Sequence, residues 1–468
     1  MTDSLLRALE GAGQSHAVRR LEALDSGKQG HLRAQLEALD LTLLGELCAL
    51  LSQRTAGAAQ AGGGVAFEPP DVFPLERDSL HHERAQAASA RGEELFASGK
   101  VAFVLVAGGQ ASRLGYDGPK GAFPVGPVSG KTLFAFHAAR IARISKMHGV
   151  SAPWYVMTSP ANDERTRAVF SENDNFGLRA EDITFFQQDM LPALDEEGRV
   201  LFSAPNALFL APNGHGGVLL GLRSSGALAE MAQRGIEQVS YFQVDNPLVR
   251  PVDPLFIGLH DLARAGMSSK VVIKRDAGEK VGVIGRVDGK LGCIEYSDLP
   301  ADLREQRDDD GQLAFGAGNI AVHCLERTFL EAVTKGDLAL PWHVAKKQMK
   351  VCGEDGQATE VTGFKFETFV FDALSSSEKS VTLEVDRSLE FSPVKNAQGE
   401  DSPASCKRDL CGLFSEWARK AGLELPPKDS DGLHPVEVDP LYAENEAEFL
   451  ARTNHVHREH DGGHHYQG

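Results

Sequence analysis

Two adjacent glycines followed by two cations mark the stretch of this sequence best equipped for chemistry. Gly108 and Gly109 follow the apolar run Val101–Val106, and Arg113 and Lys120 come within a dozen residues. Glycines lack Cβ atoms, so backbone N–H groups can approach a ligand closely and the chain can take unusual dihedrals. Arginine offers a rigid fork of donors and lysine a mobile point charge; both suit phosphate oxygens. The combination predicts a loop that holds a phosphate or a base. A tight turn with incidental surface charge explains the glycines alone but not the whole constellation. Gly126–Thr132 ends like a phosphate-binding GxxxxGK[ST] loop, but position 125 is Val125. The P-loop reading therefore fails by one residue. A GxGxxG dinucleotide fingerprint fails too, because the glycines stand at Gly108, Gly109 and Gly115.

Other polar residues fall at the ends of apolar runs. Gln188 carries an amide that can donate and accept, as the polar edge of a base requires, and such an amide serves equally as a structural partner. Pro212–Gly217 opens a helix with Gly214, Gly216 and Gly217, which suits either close passage of backbone against a base or an ordinary glycine-rich helix start. Asp245 ends the strand-like Val239–Val244. It is a candidate ligand for Mg²⁺, which takes one or two carboxylates plus substrate phosphates, and an aspartate there can also be a helix cap. The segment 281–296 reads as a β-hairpin turning at Asp288-Gly289, and Phe369 and Phe371, alternating with Val370, read as one face of a strand.

AGGQASRLG followed by PKG resembles the signature of the UDP-sugar pyrophosphorylases of eukaryotic type, most of all those acting on N-acetylglucosamine. The likeness continues through KTLF, PWYVMTS, FFQQDMLPAL, VDNPLV, VGVIGRVDG, AGNIA, FVFDAL and FSPVKN, in family order, from about 100 to 420. The resemblance implies an α/β fold: a Rossmann-like nucleotidyltransferase domain with a mixed, mostly parallel sheet. It implies UTP, a sugar 1-phosphate and a UDP-sugar as ligands, with Mg²⁺ held by Asp245. Arg113, Lys120 and Lys395 would then neutralise the phosphates; Gly108, Gly109, Gln188, Gly214 and Gly216 would hold the nucleotide. Gly282, Glu295, Asn319, Phe371 and Lys365 would surround the sugar. Two departures bear on the sugar: His215 stands where the animal enzymes have Asn and the UDP-glucose and broad-specificity enzymes have GHG, and Ala111-Ser112 replaces Gly-Thr. A UDP-glucose or broad-specificity pyrophosphorylase is thus the alternative. A nucleotide-sugar-binding protein without catalysis is another, opposed by the intact Arg113, Lys120, Asp245 and Lys395.

These residues need a frame to position them. From about 98 to 385, strand-like runs at 101–106, 153–158, 183–187 and 238–244 alternate with helical stretches to about 146, from about 161 and over 218–234. That order predicts crossover connections and a parallel sheet, whose carboxyl ends bind ligands. Leu32, Leu36, Leu39, Leu43 and Leu47 predict a helical layer before it, packed on the main domain, followed by a flexible Gly/Ala-rich connector at Thr55–Val65. The expected division is 1–97, helical region and linker; 98–392, nucleotidyltransferase domain; and 393–468, a small C-terminal domain with a helix over Lys407–Gly422 and a tail. That tail holds His455, His457, His460, His464 and His465, a composition that could bind a transition metal adventitiously and reads first as a disordered polar segment.

A chain of 468 residues with 42% hydrophobic content is long enough for two or three cores. The formal net charge of −18 argues against nucleic acid or anionic membrane as partners. Six scattered cysteines without CxxC, and no signal-like or membrane-length apolar run, lead to the expectation of a cytoplasmic monomer or weak homodimer with reduced thiols.

Overall fold

The computed structural model describes residues 2–55, 66–335, 340–452, 454–455, 457–460 and 462–467. The connector expected over 55–65 lies, from residue 56 onward, outside the described residues. The chain forms two compact units, one of Met1–Val65, Gln188–Gly217 and Ala339–Val370, the other of Ala66–Gln187, Val218–Leu338 and Phe371–Gly468. This division cuts across the consecutive segments expected from the sequence.

The larger unit is built on one sheet. Its strands run in the order Val72–Phe73, Thr382–Glu384, Met267–Ile273, Ala317–Glu326, Gln238–Gln243, Val101–Val106, Trp154–Thr158 and Ile183–Gln187. Along this path all neighbours are parallel except Ala317–Glu326, which is antiparallel to the strands on either side; Phe67–Glu68, Val283–Val287 and Lys290–Ile294 join the same sheet through antiparallel pairs. This is the expected mixed, mostly parallel sheet. Its central strands are continuous apolar runs because helices cover both faces: five of the six residues of Val101–Val106 are buried, as are all five of Trp154–Thr158. Parallel neighbours need crossovers, and the helices Leu133–His148 and Asp163–Glu172 supply them. Thr132 caps the first by accepting from Ala135 N–H, and Gly149, at φ 70°, ends it. The single helix expected over 218–234 is two, Gly217–Ser224 and Ala227–Gln233, because Gly226 sits at φ 82° between them. The predicted hairpin is present as Val283–Val287 and Lys290–Ile294, with Asp288 and Gly289 both at positive φ.

The expected disordered tail is a correction. His457–His460 and Gly463–Tyr466 pair as a hairpin, and the second strand runs parallel to Val436–Val438. Tyr466 is 1% exposed and joins Trp417, Tyr442 and Phe449 in the core. Composition read the histidines as solvated; the buried Tyr466 that follows them anchors the strand. The capped helix Pro403–Lys420 packs in the same core.

In the smaller unit the N-terminal leucines pack, as expected, on the 98–392 segment: Leu32, Leu36 and Leu47 are buried with Leu194, Val200, Phe202, Leu208, Cys352, Phe364 and Phe366, from the two later stretches of this unit. Gln14 fastens the join: its amide accepts from Val200 N–H at 2.9 Å and donates to Gly198 O at 3.0 Å. No helix among the described residues is long and apolar enough to cross a membrane. All six cysteines are free thiols.

Candidate active site

Val101–Val106 lies between Gln238–Gln243 and Trp154–Thr158, parallel to both. The glycine loop and Asp245 therefore leave the sheet at adjacent carboxyl ends. The loop's carbonyls are taken up internally. Asn162 Nδ2 donates to Ala107 O at 2.8 Å and Gly109 O at 3.2 Å, Ser159 Oγ to Gly108 O at 2.8 Å, and Lys120 N–H to Gly109 O at 3.1 Å. With the carbonyls engaged, the N–H groups are what the loop offers an anion. The unusual dihedrals expected at Gly108 and Gly109 fall instead at Gly115, φ 70°. A Cβ added at Gly109 would meet nothing within 4 Å. Arg113 is exposed on the short turn Ser112–Leu114 of the same loop and makes no ion pair among the described residues.

Lys120 and Asp245 come together: Nζ stands 3.4 Å from Oδ2, with side chains 17% and 11% exposed. Lys395 approaches through the backbone, since Val394 N–H donates to Asp245 O at 2.8 Å, and Asp245, Lys395, Gln243 and Asn319 line one small cavity. Beside them is Asp401, which the sequence reading did not single out. Burial raises its carboxyl above the ordinary range, with Lys395 opposing and Asp245 adding. Asn246 joins the strand end to the segment bearing Lys395: its Nδ2 donates to Glu390 O at 2.7 Å and its Oδ1 accepts from Ser392 N–H at 3.0 Å. Glu390 is anchored by the fully buried Lys270, whose Nζ is 2.6 Å from both Glu390 Oε2 and Asp253 Oδ2. Burial alone would lower Lys270; Asp253 and then Glu390 outweigh it and hold the ammonium charged. VDN drew attention to Asp245; Lys270 and Glu390 carried no such signal, because only folding makes them neighbours.

Gly282, Glu295 and Asn319 form a second group. Asn319 N–H donates to Gly282 O at 2.8 Å, and its Nδ2 to Cys293 Sγ at 3.6 Å. A Cβ at Gly282 would lie 2.8 Å from Cys293 Sγ and 3.5 Å from Glu295 Oε1. The irregular turn of backbone at Ala321, φ 55°, is held by its N–H donating to Asn319 Oδ1 at 2.9 Å. Phe371 is buried, but the strand expected around it is the 3-10 helix Val370–Ser376. Val370, Phe371, Ala373 and Leu374 are all buried, a spacing that suits a helical turn rather than alternation.

In the smaller unit, Gln188 is 7% exposed directly after the strand end Gln187. Gly214 and Gly216 lie against the Thr368–Phe369 backbone. A Cβ at Gly214, φ 83°, would fall 2.4 Å from Thr368 O, and one at Gly216 2.8 Å from Phe369 N. His215 stacks on Phe369 at 5.1 Å, and its Nδ1 accepts from Val370 N–H at 3.2 Å. Burial, helped by His343, pushes its pKa down to about 4, so it is neutral at physiological pH. Lys365 lies in the strand Ala358–Glu367, with Nζ 5.5 Å above the Phe209 ring.

A family model described as UTP–glucose-1-phosphate uridylyltransferase matches residues 66–410. A Dictyostelium discoideum protein named probable UDP-N-acetylglucosamine pyrophosphorylase is 38% identical over 376 residues, 76% of each chain. The Saccharomyces cerevisiae UDP-N-acetylglucosamine pyrophosphorylase is 38% identical over 348 residues, covering 71% of this chain and 72% of its own. The crystal structure of the uridine diphosphate N-acetylglucosamine pyrophosphorylase of Trypanosoma brucei in complex with an inhibitor superposes with a TM-score of 0.81 at 27% identity, covering 96% of this chain and 94% of that one.

Proposed function

Because the chain belongs to the UTP–glucose-1-phosphate uridylyltransferase family, that of the UDP-sugar pyrophosphorylases, we propose that it joins UTP and N-acetylglucosamine 1-phosphate into UDP-N-acetylglucosamine, releasing pyrophosphate. The observation that carries the reaction is the pairing of Lys120 with Asp245 at 3.4 Å, where Asp245 and Lys395 line one cavity. Phosphoryl chemistry gains most from positioning and charge neutralisation, and it needs no protein nucleophile.

The sugar 1-phosphate oxygen attacks the α-phosphorus of UTP in line, and pyrophosphate leaves. Lys120 and Lys395 neutralise the α-phosphate and the incoming phosphate, and Arg113 stabilises the departing β- and γ-phosphates. The N–H groups of Gly108 and Gly109 bind the nucleotide. Gly282, Glu295 and Asn319, with Phe371, orient the sugar; hydroxyl-rich ligands need such fixed polar partners. Asp245, a carboxylate at a strand end next to a phosphate-binding lysine, suits a hard cation that shares oxygens between protein and substrate. Bound there, Mg²⁺ would withdraw charge from the phosphates.

His215 is the sequence argument for a UDP-glucose or broad-specificity enzyme; its ring stacks on Phe369, and the choice of sugar is put to experiment. The test is pyrophosphate release from UTP and Mg²⁺ with N-acetylglucosamine 1-phosphate and glucose 1-phosphate in parallel, with product masses determined. Preference for the N-acetyl sugar supports the proposal. Preference for glucose overturns the sugar assignment, and no release from a folded protein that binds UTP overturns catalysis.

A further inference from the structure

The C-terminal hairpin carries a group of side chains that the uridylyl-transfer site does not use. In its antiparallel register Glu459 lies opposite His464 and His457 opposite Tyr466. Side chains two apart on a strand share a face, so His457, Glu459 and His464 project together. One ligand atom from each, two imidazole nitrogens and a carboxylate oxygen, lies within 4.8 Å of the others. The His457 and His464 rings stack at 3.9 Å with an interplanar angle of 24°, and His464 Nδ1 is buried without a hydrogen-bond partner among the described residues. Two stacked imidazoles, one with a buried unsatisfied nitrogen, beside a carboxylate are poor neighbours unless something is shared between them.

We propose that His457, Glu459 and His464 form a binding site for a transition-metal dication, with Zn²⁺ as the type ligand. Two imidazoles and one carboxylate match three-ligand zinc sites, where water completes the tetrahedron. The same donor set selects against Mg²⁺, which demands near-octahedral oxygen coordination. The site is therefore chemically distinct from Asp245. Its ligands come from both strands of a hairpin whose strands are four residues each, a length that is marginal alone, so the ion would staple the two strands together. On the opposite face of the second strand, His465 stands 3.5 Å from the buried Glu437. Glu437 accepts from Val128 N–H at 2.9 Å, Ser129 N–H at 2.8 Å and Ser129 Oγ at 2.6 Å. An ion at the hairpin would thus strengthen the attachment of the tail to the loop before Leu133–His148.

Co²⁺ titrated into the full-length, metal-stripped protein, in the presence of excess Mg²⁺, tests the site through its visible d–d absorption. The expected result is one saturable equivalent with a tetrahedral-type spectrum, displaced by Zn²⁺ and lost in His457→Ala and in His464→Ala. Glu459→Gln, an exposed and nearly isosteric change, weakens binding without touching the core. Uridylyl transfer with Mg²⁺ stays at the wild-type rate in His464→Ala. Absence of saturable binding overturns the proposal. So does a signal that survives the His457→Ala/His464→Ala double variant, or one that is lost in His460→Ala but not in His464→Ala, since either places the ion elsewhere.

Discussion

The chain has two glycine-bearing turns that look alike as text and differ as structure. At Gly109 the space a Cβ would occupy is open, and φ lies outside the left-handed region, so the fold itself makes no demand for glycine there. At Gly214 and Gly216 the demand is internal, because the Thr368–Phe369 backbone fills that space. Glycine in the first turn leaves room for something outside the chain, while in the second it lets two stretches of the chain meet. A glycine motif therefore reports close approach without saying what approaches.

That contrast can be broken by experiment. The largest expected effect belongs to the open loop's cations: Arg113→Ala and Lys120→Ala should each lower kcat by about 10²–10³-fold, the usual cost of removing one preorganised charge donor, with an unchanged melting temperature. Near-normal turnover in Arg113→Ala would refute its assignment. Asp245→Asn should abolish the dependence of rate on Mg²⁺ concentration, seen as loss of activation across a Mg²⁺ titration.

The glycines come next. Gly216→Ala should destabilise the folded protein by about 1–3 kcal/mol, read by urea unfolding, as overpacking against fixed backbone does. Gly109→Ala should leave unfolding unchanged and raise the KM for UTP. If both variants change stability alike, the distinction between the turns fails.

The smallest effect is in pH. His215 is held near pKa 4, below its unfolded value of about 6.5. The unfolded chain then binds more protons between these values, so stability is full above about 6.5 and falls as pH drops toward 4. His137 and His260, both lowered to about 3 by burial, act with the same sign. His215→Asn should flatten, without abolishing, the loss of melting temperature over this window.

Much of the scaffold was legible. Val101–Val106, Ile183–Gln187 and the Asp288-Gly289 hairpin follow from apolar runs and turn chemistry, which are local properties. The residues proposed to handle phosphate and metal were legible as types, because Arg113, Lys120 and Asp245 follow the carboxyl ends of apolar strands. What local pattern could not supply was partnership. The N-terminal leucines show a helix period whatever they pack on, and only the folded chain pairs them with Leu194 and Phe364. The tail's histidines look solvated until Tyr466 is buried and pulls them into a sheet. Lys270 and Glu390, 120 residues apart, become a single ion pair behind the segment that bears Lys395. Periodicity and turn residues are written within a few neighbours and so determine elements. Burial and charge pairing depend on which distant segments the fold brings together, and only the tertiary structure decides that.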